Sequence, residues 1–366
     1  MSATVAGRVD RLRASLEERG IALAAIAGPA NLQWLLGRRL DGLERFTALL
    51  VSPTGLRVVL PSFDADEFVA ETGIDDVEGW PDDRGPDAAI AAALGALDAA
   101  APGVVAVDAA MPYRFLSRLP APASGYRSAD ELVEPLRMVK DDGELQAIAR
   151  TSAIVSEAID LLPDLATPGI TEAELRRALL HALLDGGADT LDYILVQAGA
   201  QAASPHHDAD ATPLVAGEAV LVDIALSAGG YYSDITQQVT LGEPSERYAA
   251  AYAVVHESQL AGVAAARPGA TVGEVARASH AVIDDSEFAG FSYARIGHGI
   301  GLEVHEAPAL LAAGETVLEP GVTVTVEPGI YVPGEFGIRI EDTIAVTGGD
   351  PWVMTRGSRP LTVTKG

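Results

Sequence analysis

Apolar positions along the first third of the chain alternate between two rhythms. From 4 to 19 they recur at helical spacing, with Val9, Leu12 and Leu16 on one face, and the apolar run IALAAIAG follows at 21–28. This reads as a first helix leading into a buried strand, not as a secretory signal. Further strands are predicted at 46–51, 56–60 and 104–108, and helices at 64–72 and 87–100. Helices alternating with short buried strands predict a small α/β domain. A proline-rich LPAPASG lies near its end, and a long amphipathic helix starts near Asp142, which sets domains at 1–135 and 136–366.

Beyond the boundary, helices are predicted at 142–162, 171–186, 245–266 and 272–285, and strands at 192–197, 219–226, 231–241, 322–332 and 337–346. TPGITEAEL and RPGATVGEV share one design: a Pro-Gly turn, a threonine N-cap, an acid three residues on, then an apolar face. The two threonines, Thr171 and Thr271, stand 100 residues apart, a trace of internal duplication.

Composition narrows the function classes. No run of eighteen apolar residues occurs in the 366, so no membrane span is expected. Cysteine is absent, which removes disulfides, thiolate metal sites and cysteine nucleophiles. The net charge of −27 argues against a nucleic-acid partner. With only Lys140 and Lys365 as lysines, this acidity suits a salt-rich cytoplasm or follows from a GC-rich genome. A cytoplasmic location is the default expectation.

All seven histidines lie in the second half, two of them in RIGHGIGLEVHE at 295–306. Glycines at 297, 299 and 301 speak against a helix there and for close backbone approach. In VLVDIALSAGGYYSDITQQVTLG (220–242) two strand patterns flank a turn. If Leu226 pairs with Tyr231, Asp223 faces Asp234 with Cβ atoms about 5 Å apart. In VTVTVEPGIYVPGEFGIRIEDTIAV (322–346), Glu327 and Glu341 are symmetric about Gly334. Carboxylates facing each other among apolar residues require protonation or a bridging cation. Four carboxylates and His298 form a ligand set for a pair of divalent ions.

These residues, with SDIT, GHGIGLEVHE, EPGIY and RIEDT, resemble the pita-bread metallohydrolases: methionine aminopeptidase, aminopeptidase P, prolidase and creatinase. The match spans roughly 138–360. The first domain and PLRMVKDDGEL are similar to the prolidase and aminopeptidase P branch. The resemblance implies a curved antiparallel sheet covered by helices behind the α/β domain, and usually a homodimer. It implies Asp223, Asp234, His298, Glu327 and Glu341 as ligands of two divalent ions, with Asp234 and Glu341 bridging and Asp223 chelating one. Carboxylate-rich sites accept Mn²⁺, Co²⁺, Fe²⁺ or Zn²⁺, with Mn²⁺ expected first. His305 would contact the scissile amide, His206 of SPHHDAD would approach the substrate, and Arg339 would fix a carboxylate by a bidentate contact. His207 reads as a solvated neighbour, and His181, His256 and His280 as structural. The implied chemistry is attack by a metal-bridging hydroxide on an Xaa-Pro bond of a short peptide, Glu327 carrying the proton and His305 supporting the oxyanion.

Some positions depart from the family pattern. Gln237 and Gln238 replace the Arg-Thr of SDxTRT, and Ala225 the glycine of DxG. Ala294 and Ala309 stand where a histidine and an arginine are frequent. These changes spare the ligands and predict an altered demand for a free C-terminal carboxylate. Two other readings are a hydrolase or lyase of a non-peptide small molecule on the same fold and a catalytically inactive binding module; the complete ligand set argues against the last.

Overall fold

The computed structural model describes residues 2–355 and 360–364. The chain divides into two compact units, Met1–Arg137 and Met138–Gly366.

The first unit holds six strands: β1 (Leu23–Ile26), β2 (Ala48–Ser52), β3 (Gly55–Pro61), β4 (Val77–Trp80), β5 (Val105–Val107) and β6 (Tyr126–Ser128). They form one mixed sheet in the order β4-β3-β2-β1-β5-β6. Its helices are α1 (Ala3–Glu18), α2 (Pro29–Leu36), α3 (Ser62–Thr72), α4 (Asp87–Ala96), α5 (Tyr113–Leu116) and α6 (Asp130–Met138), the last running across the boundary. One core packs Leu23, Leu50, Val59, Trp80, Ile90 and Phe115 together. The apolar rhythm missed α2, which begins at Pro29 and stops at Gly37 in the left-handed conformation, and the short outer strands β4 and β6.

The second unit contains α7 (Asp142–Asp160), α8 (Leu162–Leu165), α9 (Glu172–Asp185), α10 (Glu246–Ala265) and α11 (Val272–Asp284). Capping boxes open α7, α9 and α11 at Asp141, Thr171 and Thr271. Strands β7 (Thr190–Ala198), β8 (Ala219–Ala228), β9 (Tyr231–Leu241), β10 (Arg295–Gly299), β11 (Glu306–Leu311), β12 (Thr323–Val326), β13 (Gly329–Val332), β14 (Phe336–Arg339), β15 (Asp342–Ala345), β16 (Trp352–Val353) and β17 (Thr362–Thr364) complete it. They form sheets β17-β9-β8-β7, β11-β10-β12-β15-β16 and β13-β14. Every pairing is antiparallel except β17 with β9. The α/β domain followed by an α+β pita-bread unit is the expected fold.

Two local expectations are corrected. In the β8–β9 hairpin Ala228 pairs with Tyr231, so Asp223 faces Thr236 and Asp234 faces Ala225. The two aspartates are diagonal neighbours on one face, not direct partners. Gly229 and Gly230, both at positive φ, close a two-residue turn that the wider loop reading overlooked. The strand expected over 322–332 breaks at Glu327–Pro328: Val326 pairs with Asp342 in one sheet and Gly329 with Arg339 in another. Glu327 and Glu341 therefore keep the predicted mirror register, at the step between two sheets. Gly297 and Gly299 of RIGHGIG lie in strand β10. A Cβ on Gly297 would run into the carbonyl of Thr325, and one on Gly299 into that of Ala307. This is the close backbone approach that the glycine spacing implied.

Candidate metal centre

Four side chains meet in the interior of the second unit with almost no solvent contact: Asp223 at 5% exposure, Asp234 at 1%, His298 at 3% and Glu341 at 1%. Strands β8 and β9 supply the aspartates, β10 the histidine, and Glu341 immediately precedes β15. Potential ligand atoms of Asp234, His298 and Glu341 lie within 4.8 Å of one another. His298 Nε2 is 3.2 Å from Glu327 Oε1 and 3.8 Å from Asp234 Oδ2. Its Nδ1 sits 3.0 Å from the carbonyl of Gly299, which leaves Nε2 facing the carboxylates. β10 pairs irregularly with β11 around His298, and such a bulge re-aims a side chain.

Arg339 joins these groups. It donates to Asp223 Oδ2, to Tyr331 Oη at 2.8 Å and to Thr236 Oγ1 at 3.1 Å, and Thr236 in turn donates to Glu341 Oε2 at 2.7 Å. Tyr193 donates to Asp234 Oδ2 at 2.8 Å. Thus one oxygen each of Asp223, Asp234 and Glu341 is held. The other oxygens, Asp223 Oδ1, Asp234 Oδ1 and Glu341 Oε1, are buried without a hydrogen-bond partner. Buried carboxylate oxygens are costly when unsatisfied. An all-oxygen set with one imidazole, three of its oxygens orphaned, fits divalent cations.

Electrostatics agree. Burial pushes the Asp234 carboxyl well above the ordinary carboxylate range, and the charges of Asp223 and Glu327 push it further. Burial does the same to Glu341, reinforced by Asp234 and Glu327. Asp223 is also raised by burial, with Arg339 opposing. For Glu327, burial is outweighed by the His298 contact and by Arg339, and its carboxyl is lowered. Such crowding of like charge is tolerable with cations present.

Asp223, His298 and Glu327 border a cavity of ≈ 680 Å³ whose lining also includes His206, Tyr293, Arg295, His305 and Tyr331. The rings of His298 and His305 meet edge to face, centroids 4.3 Å apart. Burial, followed by the nearby His298 and Arg295, lowers His305 to about 4, so its imidazole is neutral at physiological pH. His206 reaches the same cavity from the segment after β7. Gln197, fully buried, donates to the carbonyls of Ser204, Pro205 and His207, at 3.1 Å each. His207 is not a solvated bystander: its Nε2 lies 3.0 Å from Glu172 Oε2, a carboxylate that is 0% exposed. Glu172 also accepts from the N–H groups of Ala198 and Asp210. Six of the eight expected site residues therefore line one cavity, and the other two, Asp234 and Glu341, are grouped with His298. Tyr193, Tyr331, Thr236, Gln197 and Glu172 were not singled out from the sequence, although Thr236, Tyr331 and Glu172 sat inside motifs already quoted, SDIT, EPGIY and TPGITEAEL.

The departures have consequences here. Gln238 accepts from Tyr248 and donates to the carbonyl of Arg339 at 2.8 Å, so it braces the strand where the usual motif has a threonine. Ala309 pairs with His298 across β10–β11, and Ala294 accepts from His280 through its carbonyl; neither offers charge.

Curved sheets under paired helices, with buried carboxylates and a histidine converging on a polar cavity, define a metallopeptidase. The chain belongs to metallopeptidase family M24, which matches residues 146–348, and it carries a creatinase/prolidase N-terminal domain matching 8–139. The probable dipeptidase PepE of Mycobacterium tuberculosis is 35% identical over 350 residues, 93% of this chain and 92% of its own. The Xaa-Pro dipeptidase of Pyrococcus horikoshii is 30% identical over 258 residues, 70% of this chain and 74% of its own. The crystal structure of dipeptidase PepE from Mycobacterium ulcerans superposes with a TM-score of 0.91 at 34% identity, covering 100% of this chain and 99% of that one.

Proposed function

We propose that the protein cleaves Xaa-Pro bonds of short peptides, as a dipeptidase or aminopeptidase, with two divalent ions held by Asp223, Asp234, His298, Glu327 and Glu341. The observation that carries this reading is the set of three buried, unpartnered carboxylate oxygens grouped around His298 beside a substrate-sized cavity. A relative named Xaa-Pro dipeptidase supports the choice of bond. Bound Mn²⁺, or Co²⁺, Fe²⁺ or Zn²⁺, would supply an activated water and a Lewis acid for the carbonyl. The chain's own part follows from its geometry. Glu327, lowered and bordering the cavity, holds or passes the proton released on attack. His305, neutral, hydrogen-bonds the scissile amide and the oxygen that gains charge. His206 orients the substrate from the cavity wall. Arg339 opposes the effect of burial on Asp223 and holds its Oδ2, which would leave Oδ1 for an ion. The catalytic domain is taken as 136–366 behind an N-terminal domain at 1–135, in a cytoplasmic homodimer.

The test is hydrolysis with each of the four metals, comparing Xaa-Pro, Xaa-Pro-amide, Xaa-Pro-Xaa and non-proline controls. Cleavage only at the bond between Xaa and Pro is expected. The exposed Arg295 on the cavity wall is the cation left to read a C-terminal carboxylate, since Ala294 and Ala309 cannot. Its single open contact predicts that the free dipeptide exceeds the amide by less than the roughly ten- to hundredfold expected of a buried arginine pair. A larger preference would overturn that point. No cleavage of any proline peptide by the metal-loaded enzyme would move the assignment to a non-peptide substrate.

A further inference from the structure

The domain-boundary motif PLRMVKDDGEL contains Lys140, one of two lysines in the chain, and nothing in the catalytic reading uses it. In the structure its ammonium is buried, with the side chain 2% exposed, and lies 3.2 Å from Glu306 Oε2, whose side chain is 6% exposed. Glu306 directly follows His305. Its other oxygen accepts from the N–H of Leu302 at 2.7 Å and of Glu303 at 3.0 Å. One carboxylate therefore closes the 301–306 loop on itself and ties it to the segment before α7. Gly301 is part of the same device: a Cβ there would stand 2.9 Å from both Glu306 Oε2 and Lys140 Cε. Its carbonyl accepts from Tyr232 N at 2.7 Å, and Val304 is buried against Ala225, Tyr232 and Ile300. Lys140 is itself fixed, its N–H donating to the carbonyl of Gly321 at 2.9 Å. The one side chain of this closed loop that turns into the cavity beside His298 is His305.

We propose that the Lys140–Glu306 pair is a positioning device that holds His305 in its working orientation against the substrate. A buried pair between residues 166 apart is an expensive way to join two segments if only stability is needed, because apolar pairs of similar size serve as well. A loop whose backbone N–H groups are satisfied by a carboxylate that is itself pinned by an ammonium fixes the adjacent side chain closely. Displacing a catalytic group by about 1 Å costs up to 10²-fold in rate. The proposal rests on His305 acting on the substrate.

The experiment is a double-mutant cycle on the metal-loaded enzyme. Lys140→Met is expected to lower kcat about ten- to hundredfold while metal content and KM stay at wild-type values. In the His305→Ala background the same substitution is expected to change kcat by less than about twofold, since the group being positioned is gone. If Lys140→Met alone does not fold, Lys140→Met with Glu306→Gln removes both charges, keeps an acceptor for Leu302 and Glu303, and completes the same cycle. Equal losses with and without His305, or no loss in its presence, would overturn the positioning role and leave the function of His305 intact. Wild-type kcat for His305→Ala would remove the role given to His305, and the pair's purpose with it.

Discussion

The two helix starts at Thr171 and Thr271 are built alike to a close degree. Gly169 donates to the carbonyl of Leu214 at 2.9 Å, and Gly269 to that of Leu318 at 2.9 Å; Glu172 donates to Thr212 at 3.0 Å, and Val272 to Thr316 at 2.9 Å; Ala173 donates to Asp210, and Gly273 to Gly314. The faint sequence echo is thus a true structural repeat. Each repeat also sends two carboxylates to the centre: Asp223 and Asp234 from the first, Glu327 and Glu341 from the second. The difference lies in the first helical residue. In the second repeat it is Val272, buried in an apolar cluster with Leu310 and Leu318. In the first it is Glu172, equally buried, which grips His207 and two backbone N–H groups beside His206. One scaffold position serves packing in one copy and shapes the substrate cavity in the other.

The largest effect should come from the carboxylates that the repeats share. Asp234→Ala and Glu341→Ala, one from each repeat, should both lose all bound metal and fall to background turnover, as read by elemental analysis and peptide hydrolysis. A variant that keeps one full equivalent would show that the repeats bind ions separately. His305→Ala should keep its metal yet lose about 10²–10³ in kcat, as for removing one oxyanion donor; metal loss would make His305 a ligand. Next, Glu172→Gln should lower kcat/KM about tenfold, at the low end for a partner that orients a site residue. Val272→Ala should instead cost about 1–3 kcal/mol of stability with kcat/KM unchanged. If both act only on melting temperature, the asymmetry between the repeats has no functional meaning.

The smallest effect concerns pH. Asp234 and Glu341 have folded values well above their ordinary 3.8 and 4.5, so the metal-free native state binds more protons than the unfolded chain. Stability from these groups is therefore present at low pH and is lost as pH rises through the raised values. His305, lowered from 6.5 to about 4, acts oppositely, but only below its ordinary value. As pH rises from the ordinary carboxylate values through the raised ones, the melting temperature of metal-free protein should fall by a few degrees, with His305 opposing below about pH 6.5, while metal-loaded protein stays level. A flat metal-free profile would mean that neither burial nor mutual charge raises these carboxyls in the folded state.

The residues that chemistry restricts were legible without coordinates. Paired acids among apolar strands and a histidine between glycines have few other uses, and the structure brings all of them together. The register of Asp223 and Asp234 was not legible, because it depends on whether a loop of small residues turns over two residues or more. Strand β10 was hidden by its own glycines, whose low strand propensity is outweighed by the need for space beside Thr325 and Ala307. Glu172 was readable as the first residue of a capped helix, but its bond to His207 links positions 35 apart and has no local pattern. The Lys140–Glu306 pair is invisible to periodicity for the same reason.

The crowding along β10 also limits how this pocket can be altered. Positions 297, 299 and 301 admit no side chain without displacing a neighbouring carbonyl or the Lys140–Glu306 pair, so substitution there would be selected against for folding before any substrate is met. Residues that line the cavity from more open backbone, Asp192, Asp208, Ser292, Tyr293 and Arg295, carry no such restriction. A library aimed at new leaving groups should be confined to those five, and sequence drift among relatives with unlike substrates should concentrate on them.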